Sequence, residues 1–253
     1  MELTLYCSGG DGDWRGRKVR VCAALAGVAV RVVEGASAEA MPASPVGAGH
    51  LPLLATREGP IVQSNAILRY VAQLREDAGL MGSGPLEGGQ VEQWLEFCAT
   101  EVEHLTAVLA MASAAQGGAA APLVDGVRPQ DAKKSASAAR ARLGEVLGVL
   151  EAHLSSRTFL VGERLSIADV AVACALQGAF QHHFTEVERD SDLVHLTRWF
   201  LTCVHQPAFA GVLGVVTLFA GAGAAGTGAA VGGGGGGSGA SMTRGGAGGA
   251  GGA

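Results

Sequence analysis

The hydrophobic pattern of this chain changes its period near residue 79, and that change constrains the fold more than any other feature. Before it, short apolar runs rich in β-branched residues alternate with helical stretches; after it, apolar residues recur at three- and four-residue steps. The first part predicts a strand, a helix, three further strands and a helix. The predicted segments are 3–6, 14–26, 28–33, 51–55, 60–62 and 66–75.

The second part is predicted to be helical throughout. Segment 79–89, which is rich in glycine and contains Pro85, is typical of a linker, and the low-complexity segment 112–129 is typical of a loop insertion. The clearest local signal is Ser166-x-x-Asp169, in which Ser166 caps a helix and the Asp169 carboxylate bonds back to the Ser166 amide. We therefore expect a small α/β domain (1–78), a linker (79–89) and an all-helical domain (90–219).

Glycine is concentrated at the C-terminal end of the sequence. The chain has 40 glycines, and 17 of them lie among residues 220–253 together with 10 alanines. No strict triplet repeat occurs, so collagen is excluded. The composition of 220–253 predicts a disordered tail.

Charge and cysteine usage exclude several classes of protein. The formal net charge of -5 does not favour nucleic-acid binding. The five cysteines are widely spaced and odd in number, which indicates reduced thiols and a cytoplasmic protein rather than a disulfide framework or a zinc site. The N-terminus has no apolar signal region, and the longest apolar run is too short to span a membrane.

Several segments resemble a known family. Four features resemble the cytosolic glutathione S-transferase fold: the order of elements, an X-Pro before the third strand, the segment Gln63-Ser64-Asn65 at the start of a helix, and the Ser-x-x-Asp box. That fold joins a thioredoxin-like α/β domain to an all-α domain. Segments 90–97, 152–165 and 198–209, the last of which reads RWFLTCVHQPAF, resemble more specifically the gamma subunit of eukaryotic elongation factor 1B.

The resemblance implies a glutathione-binding edge. An X-Pro bond lowers the cost of the cis isomer to about 0.5–1 kcal/mol, and a cis Leu51-Pro52 turn would present the Leu51 backbone to a cysteinyl backbone. By resemblance, Gln63 and Ser64 would hold the γ-glutamyl carboxylate, where the first amides of a helix lack partners. The alternative, which the sequence leaves open, is that Pro52 only shapes a turn and Ser64 only caps a helix.

Catalysis requires a hydroxyl or thiol donor just after the first strand. In transferases of this type the donor lies about four residues before the helix arginine, and that count from Arg15 gives Asp11, whose carboxylate disfavours a thiolate. The remaining candidates are Tyr6, which we expect to be a core residue, Cys7 and Ser8. Glycines at positions 9, 10 and 12 oppose the rigidity that a thiolate site needs.

Two functions follow from the resemblance. The first is a non-catalytic scaffold of the elongation factor 1B complex, which binds the nucleotide-exchange subunit and needs no cofactor. The second is a glutathione transferase or glutathione-binding protein that acts on small electrophiles, with glutathione as ligand. A homodimer is compatible with both, and neither involves a membrane or direct contact with nucleic acid.

Two further features bear on these expectations. The adjacent pair His182-His183 does not predict a metal site, because neighbouring side chains on a helix diverge. Members of the elongation factor family continue through a lysine-rich linker into a second conserved domain, and this sequence shows no counterpart of it.

Overall fold

The N-terminal part is built around one mixed sheet. A computed structural model describes residues 2–10, 12–44, 46–117 and 129–221. The strands are β1 (Thr4–Cys7), β2 (Arg31–Glu34), β3 (Leu53–Ala55) and β4 (Pro60–Val62), in the order β2-β1-β3-β4. Strand β2 runs parallel to β1, whereas β3 and β4 are antiparallel to their neighbours.

Two helices complete this part, α1 (Trp14–Ala26) and α2 (Ser64–Gln73). The sequence sets both ends of α1: the Asp13 side chain accepts a hydrogen bond from the Gly16 amide, and Gly27 ends the helix at φ 65°. Helix α1 buries Val19, Val21 and Cys22. These residues join the apolar face of α2 in a continuous core.

The second part contains helices and no strand among the described residues. Its first helices are α3 (Pro85–Phe97) and α4 (Glu103–Gly117), joined without a break by a π-helical turn at Cys98–Val102. The remaining helices follow along the chain: α5 (Pro129–Leu154), α6 (Ile167–His182), α7 (Glu186–Ser191), α8 (Val194–Val204) and α9 (Pro207–Leu213).

Helix α6 lies at the centre of the helical part, and the Asp169 carboxylate organises its start. Oδ1 accepts from the Leu160 amide at 2.9 Å and from the Trp199 indole at 2.8 Å. Oδ2 accepts from the amide and the hydroxyl of Ser166, both at 2.9 Å. Burial raises the pKa of Asp169 despite these donors. One side chain thus ties together the start of α6, the segment before it and α8.

Two other connections join distant segments of the helical part. The Glu151 carboxylate of α5 accepts from the amides of His195 at 2.9 Å and Leu196 at 2.7 Å, and so caps α8 from another helix. After α9 the chain is extended, and the buried Arg189 donates to the Phe219 carbonyl at 2.6 Å. This contact holds the segment against α7, and the Phe219 amide donates to the Phe180 carbonyl of α6 at 2.9 Å.

The structure alters some of the predicted boundaries. Helix α3 begins at Pro85, inside the predicted linker, because a proline at the first helical position needs no amide partner. Helix α4 continues to Gly117 and α5 begins at Pro129, so the loop predicted for 112–129 is wrong for 112–117 and for 129. Residues 118–128 and 222–253 of the predicted loop and tail lie outside the described residues.

No helix among the described segments combines the length and the apolar character that a membrane crossing needs.

Candidate functional site

The sheet register brings the sequence-predicted binding residues to one edge. Tyr6 is paired with Leu53, and Leu53 with Val62. Because these strands are antiparallel, the end of β1, the start of β3 and the end of β4 meet. The segments just beyond the paired residues therefore converge, and they contain Cys7, Ser8, Leu51, Pro52, Gln63 and Ser64.

The Leu51–Pro52 and Gln63–Ser64 segments have unusual backbone geometry. The peptide bond between Leu51 and Pro52 is cis, with Pro52 buried and Leu51 half-buried. Gln63 has φ 71°, which makes it a non-glycine residue in the left-handed region. It is exposed and directly precedes α2. Two backbone conformations that most residues avoid thus lie beside each other at the same edge.

The start of α2 can hold an anion. The Ile67 amide donates to the Gln63 carbonyl at 3.0 Å, which closes the first helical turn. The amides of Ser64, Asn65 and Ala66 precede that bond and have no partner within the helix, and the helix dipole is positive there. The site that resemblance assigns to Gln63 and Ser64 therefore has suitable electrostatics for a carboxylate.

A buried charged network lies behind this turn. Lys18 Nζ is 2.7 Å from Glu103 Oε1 and donates to Asn65 Oδ1 at 2.6 Å. Arg15 Nε is 3.5 Å from Glu103 Oε2. Burial by itself raises the pKa of Glu103, but Lys18 and then Arg15 outweigh it and hold that pKa below its usual value. The network joins α1, α2 and α4 directly behind the candidate site.

The start of α1 is already occupied by a carboxylate. Asp13 is buried; its Oδ1 accepts from the Gly16 amide at 3.0 Å and its Oδ2 from the Gly9 amide at 3.2 Å. A Cβ at Gly16 would lie 2.2 Å from Asp13 Oδ2 and 2.8 Å from the Cys7 Cβ, so only glycine fits there. The positive end of α1, which stabilises thiolates in other proteins, is filled by the protein's own acid.

Cys7 is not suited to act as a nucleophile. It is fully buried, and burial, followed by the Asp13 and Glu34 carboxylates, raises the pKa of its thiol to about 12. Glu34 also covers the loop after β1, since a Cβ at Gly9 would lie 2.9 Å from its carboxylate. Both charges oppose the formation of a thiolate at this position.

The other two catalytic candidates differ in exposure. Ser8 is exposed and precedes Gly9 and Gly10, which have φ 72° and 71°. Tyr6 is half-buried and faces the opposite side of β1 from the buried Leu5. It is therefore not the buried core residue that the sequence suggested, because alternation along a strand turns it away from that core. Asp11 lies outside the described residues.

A cavity of about 390 Å³ opens between the start of α1, α4 and α6. Trp14, Thr106, Gln177, His182 and His183 are among the residues that line it. Burial, then the neighbouring His182 and Arg140, lowers the pKa of His183. Across the described part of the chain no three His, Cys, Asp or Glu side chains gather in a way that would hold a metal ion.

The residues that sequence reasoning missed are Asp13, Lys18, Asn65 and Glu103. Asp13 directly precedes a predicted helix, which is a usual signal for an N-cap. Lys18 interrupts the apolar face of α1, but a lysine among buried residues has no sequence signal that names its partner. The approach of Glu103 to Lys18 is a tertiary contact between residues 85 positions apart.

Comparison with known proteins identifies the family of both parts of the chain. The model of the glutathione S-transferase N-terminal domain matches residues 1–73, and that of the C-terminal domain matches residues 101–207. The fold is similar to that of a theta class glutathione S-transferase from Xanthomonas axonopodis pv. citri, solved with glutathione bound. The TM-score is 0.65 at 23% identity, covering 85% of this chain and 99% of that one.

Curated proteins with similar sequences include elongation factors. The chain is 35% identical over 223 residues to elongation factor 1-gamma 1 of Oryza sativa subsp. japonica, covering 85% of this chain and 49% of that protein. It is 38% identical over 225 residues to elongation factor 1-gamma of Trypanosoma cruzi, covering 84% and 50%. The chain thus spans about half the length of the curated relatives it matches.

These findings confirm the predicted fold class, an α/β thioredoxin-like N-terminal part followed by an all-α part. They also confirm the resemblance on which the sequence predictions rested. The chain therefore belongs to the glutathione S-transferase-like family, and its relatives within that family include the elongation factor 1-gamma proteins.

Proposed function

We propose that this protein is a non-catalytic scaffold subunit of the elongation factor 1B guanine-nucleotide-exchange complex. The observation that carries the proposal is the similarity to elongation factor 1-gamma proteins, at 35% identity over 223 residues for one rice relative. Its transferase-like fold would serve protein–protein interaction, its partner would be the nucleotide-exchange subunit, and it would act in the cytoplasm without a required cofactor.

The start of α1 supports the non-catalytic part of the proposal. A transferase lowers the pKa of the glutathione thiol with donors and positive charge at this position. Here the Asp13 carboxylate takes up the Gly16 and Gly9 amides, and a second carboxylate, Glu34, lies beside the same loop. Two negative charges next to an arriving thiolate raise its free energy, so we expect conjugation activity to be very low.

A binding experiment tests the scaffold role. The purified chain is mixed with the nucleotide-exchange subunit from the same organism and analysed by size-exclusion chromatography with light scattering. We expect a stable complex of defined stoichiometry, and the same measurement on the chain alone reports whether it is a homodimer. A cytosolic glutathione transferase is the matched fold control and should not bind. Separate elution of the two subunits at micromolar concentration would contradict the scaffold role.

A second candidate function is glutathione binding, with or without transfer to small electrophiles. It is favoured by the convergence of Leu51, Pro52, Gln63 and Ser64 at one sheet edge, close to the free amides of α2. The cavity between α1, α4 and α6 offers room for a second substrate.

A conjugation assay with a chlorinated aromatic acceptor separates the two candidates. Turnover that disappears in Ser8→Ala would establish a transferase and overturn the non-catalytic proposal. Cys7→Ala should not change turnover, because the thiol is buried. Binding to glutathione without turnover would be compatible with the scaffold role.

A further inference from the structure

Neither candidate function as described above uses the Lys18 side chain, yet it is completely buried. Lysines are rarely buried unless their charge is paired. Lys18 Nζ has two partners, Glu103 Oε1 at 2.7 Å and Asn65 Oδ1 at 2.6 Å. A residue of α1 therefore connects the first turn of α2 to the start of α4.

Asn65 is the point at which this network reaches the candidate binding edge. It follows Ser64 in the first turn of α2, and its Nδ2 donates to the Leu95 carbonyl of α3 at 3.4 Å. The N-cap residue, Gln63, gives the helix no side-chain hydrogen bond. A helix start without a cap of its own opens readily. The Asn65 carboxamide, bonded to Lys18 and to the Leu95 carbonyl, holds this turn from the inner side.

The charges of the network favour an anion at the same place. Lys18 and Arg15 share the single carboxylate of Glu103, so the cluster keeps one net positive charge. That charge lies on the inner side of the first turn of α2, next to the positive end of its dipole. A carboxylate bound to the amides of this turn would be stabilised by both.

We propose that Lys18 is a positioning residue for the ligand edge. Through Asn65 it fixes the first turn of α2, and through Glu103 it makes the geometry of that turn depend on the docking of α4. The nature of the ligand, a γ-glutamyl carboxylate, rests on the second candidate function above. The fixing of the turn does not depend on any ligand.

The test uses the full chain and four variants, the fourth of which is Asn65→Asp. Asn65→Leu removes the acceptor for Lys18 and also the donor to the Leu95 carbonyl, but leaves the ion pair between Lys18 and Glu103 in place. The double variant Lys18→Met/Glu103→Leu removes the ion pair without leaving a single buried charge. The matched control is Arg69→Met/Glu92→Leu, which removes the part-buried ion pair between α2 and α3.

Two readouts separate positioning from general destabilisation. The first is hydrogen exchange of the Ile67 amide, whose bond to the Gln63 carbonyl closes the first turn. We expect it to exchange at least about tenfold faster in Asn65→Leu and in the Lys18/Glu103 variant, but not in the control. Asn65→Asp should restore slow exchange, because its carboxylate accepts from Lys18. The second readout is the affinity for glutathione by calorimetry, which should fall at least about tenfold in the first two variants.

The outcomes are distinguishable. Unchanged exchange at Ile67 in Asn65→Leu overturns the proposal, whatever happens to glutathione affinity. If the unaltered protein does not bind glutathione, the second candidate function fails, and exchange at Ile67 alone decides the role of Lys18. If the Lys18/Glu103 variant does not fold, Asn65→Leu still decides it, because Asn65 is only half-buried.

Discussion

Replacement of Asp169 should be one of the most destabilising single changes in the helical part. Its carboxylate is fully buried and accepts four hydrogen bonds, from the Leu160 amide, the Trp199 indole and the amide and hydroxyl of Ser166. Asp169→Ala leaves all four donors without a partner. Asp169→Asn keeps an oxygen in place of Oδ1, and with it the bonds from Leu160 and Trp199, but puts an NH₂ group opposite Ser166.

The expected magnitude follows from the number of donors. An unsatisfied buried donor costs about 1–3 kcal/mol, and the lower end applies here because the substitution also removes a charge whose burial is unfavourable. We therefore expect Asp169→Ala to lower the free energy of unfolding by about 4 kcal/mol and Asp169→Asn by about 2 kcal/mol. For a protein of this size, the alanine variant should lose about 8–16 °C in Tm.

Urea denaturation followed by circular dichroism measures both variants. The matched control is Glu188→Ala in the second capping box. The part-exposed Glu188 carboxylate accepts from the Thr185 amide at 2.8 Å and hydroxyl at 2.9 Å, and it also pairs with Arg140. That change should cost about 1 kcal/mol. An Asp169→Ala cost no larger than that of the control, or no larger than that of Asp169→Asn, would refute the reasoning from the buried donors.

Four other changes give separate predictions. Cys7 should resist iodoacetamide in the folded protein at about pH 8, because its thiol is buried and its pKa is raised to about 12; mass mapping that finds rapid labelling would contradict its burial. Gln63→Gly should raise the free energy of unfolding by about 0.5 kcal/mol, because the strain released at φ 71° exceeds the cost of the conformational entropy that glycine adds to the unfolded chain. Calorimetry that shows a loss of stability would mean that the glutamine side chain stabilises the fold. Glu151→Ala should cost about 1–2 kcal/mol and speed hydrogen exchange in the first turn of α8; unchanged exchange there would show that the cap is not needed. The pKa of Glu103 in the folded protein lies below its unfolded value, so its contribution to stability is present above about pH 4.3 and is lost as pH falls through the folded pKa. The difference in the free energy of unfolding between the native chain and Glu103→Gln should therefore shrink on acidification. A difference that does not change with pH would contradict this assignment.

The sequence predicted a helix well where residues within it or next to it determine where it begins and ends. Helix α1 was predicted at 14–26 and spans Trp14–Ala26, because its apolar face and the glycine after it are both local features. The Ser166–Asp169 bonds lie within four consecutive residues, and the sequence pattern identified them. The two other donors to the Asp169 carboxylate, the Leu160 amide and the Trp199 indole, lie outside that motif and were not predicted.

The candidate site was predicted only in part, for a related reason. The residues at its sheet edge were predicted from a family resemblance. The strand register that brings them together is a pairing between separate strands, which no single segment of the sequence determines. The count back from Arg15 gave Asp11 for the donor position, and Asp11 lies outside the described residues. The sequence reasoning did not predict that Asp13 caps α1. The glycines between β1 and α1 make the spacing in this loop a poor guide to position.

The π-helical turn at Cys98–Val102 has a consequence for how this protein can vary. A π turn contains one residue more than the α-helical hydrogen-bonding pattern, so it acts as a single-residue insertion within a continuous helix. The bulge takes up this extra residue locally, so deletion of one residue there would leave a regular helix whose later residues face nearly the same way. Glu103, the first residue of α4, would then still face Lys18. The helix can therefore lose one residue at this turn without taking the partner away from the buried lysine.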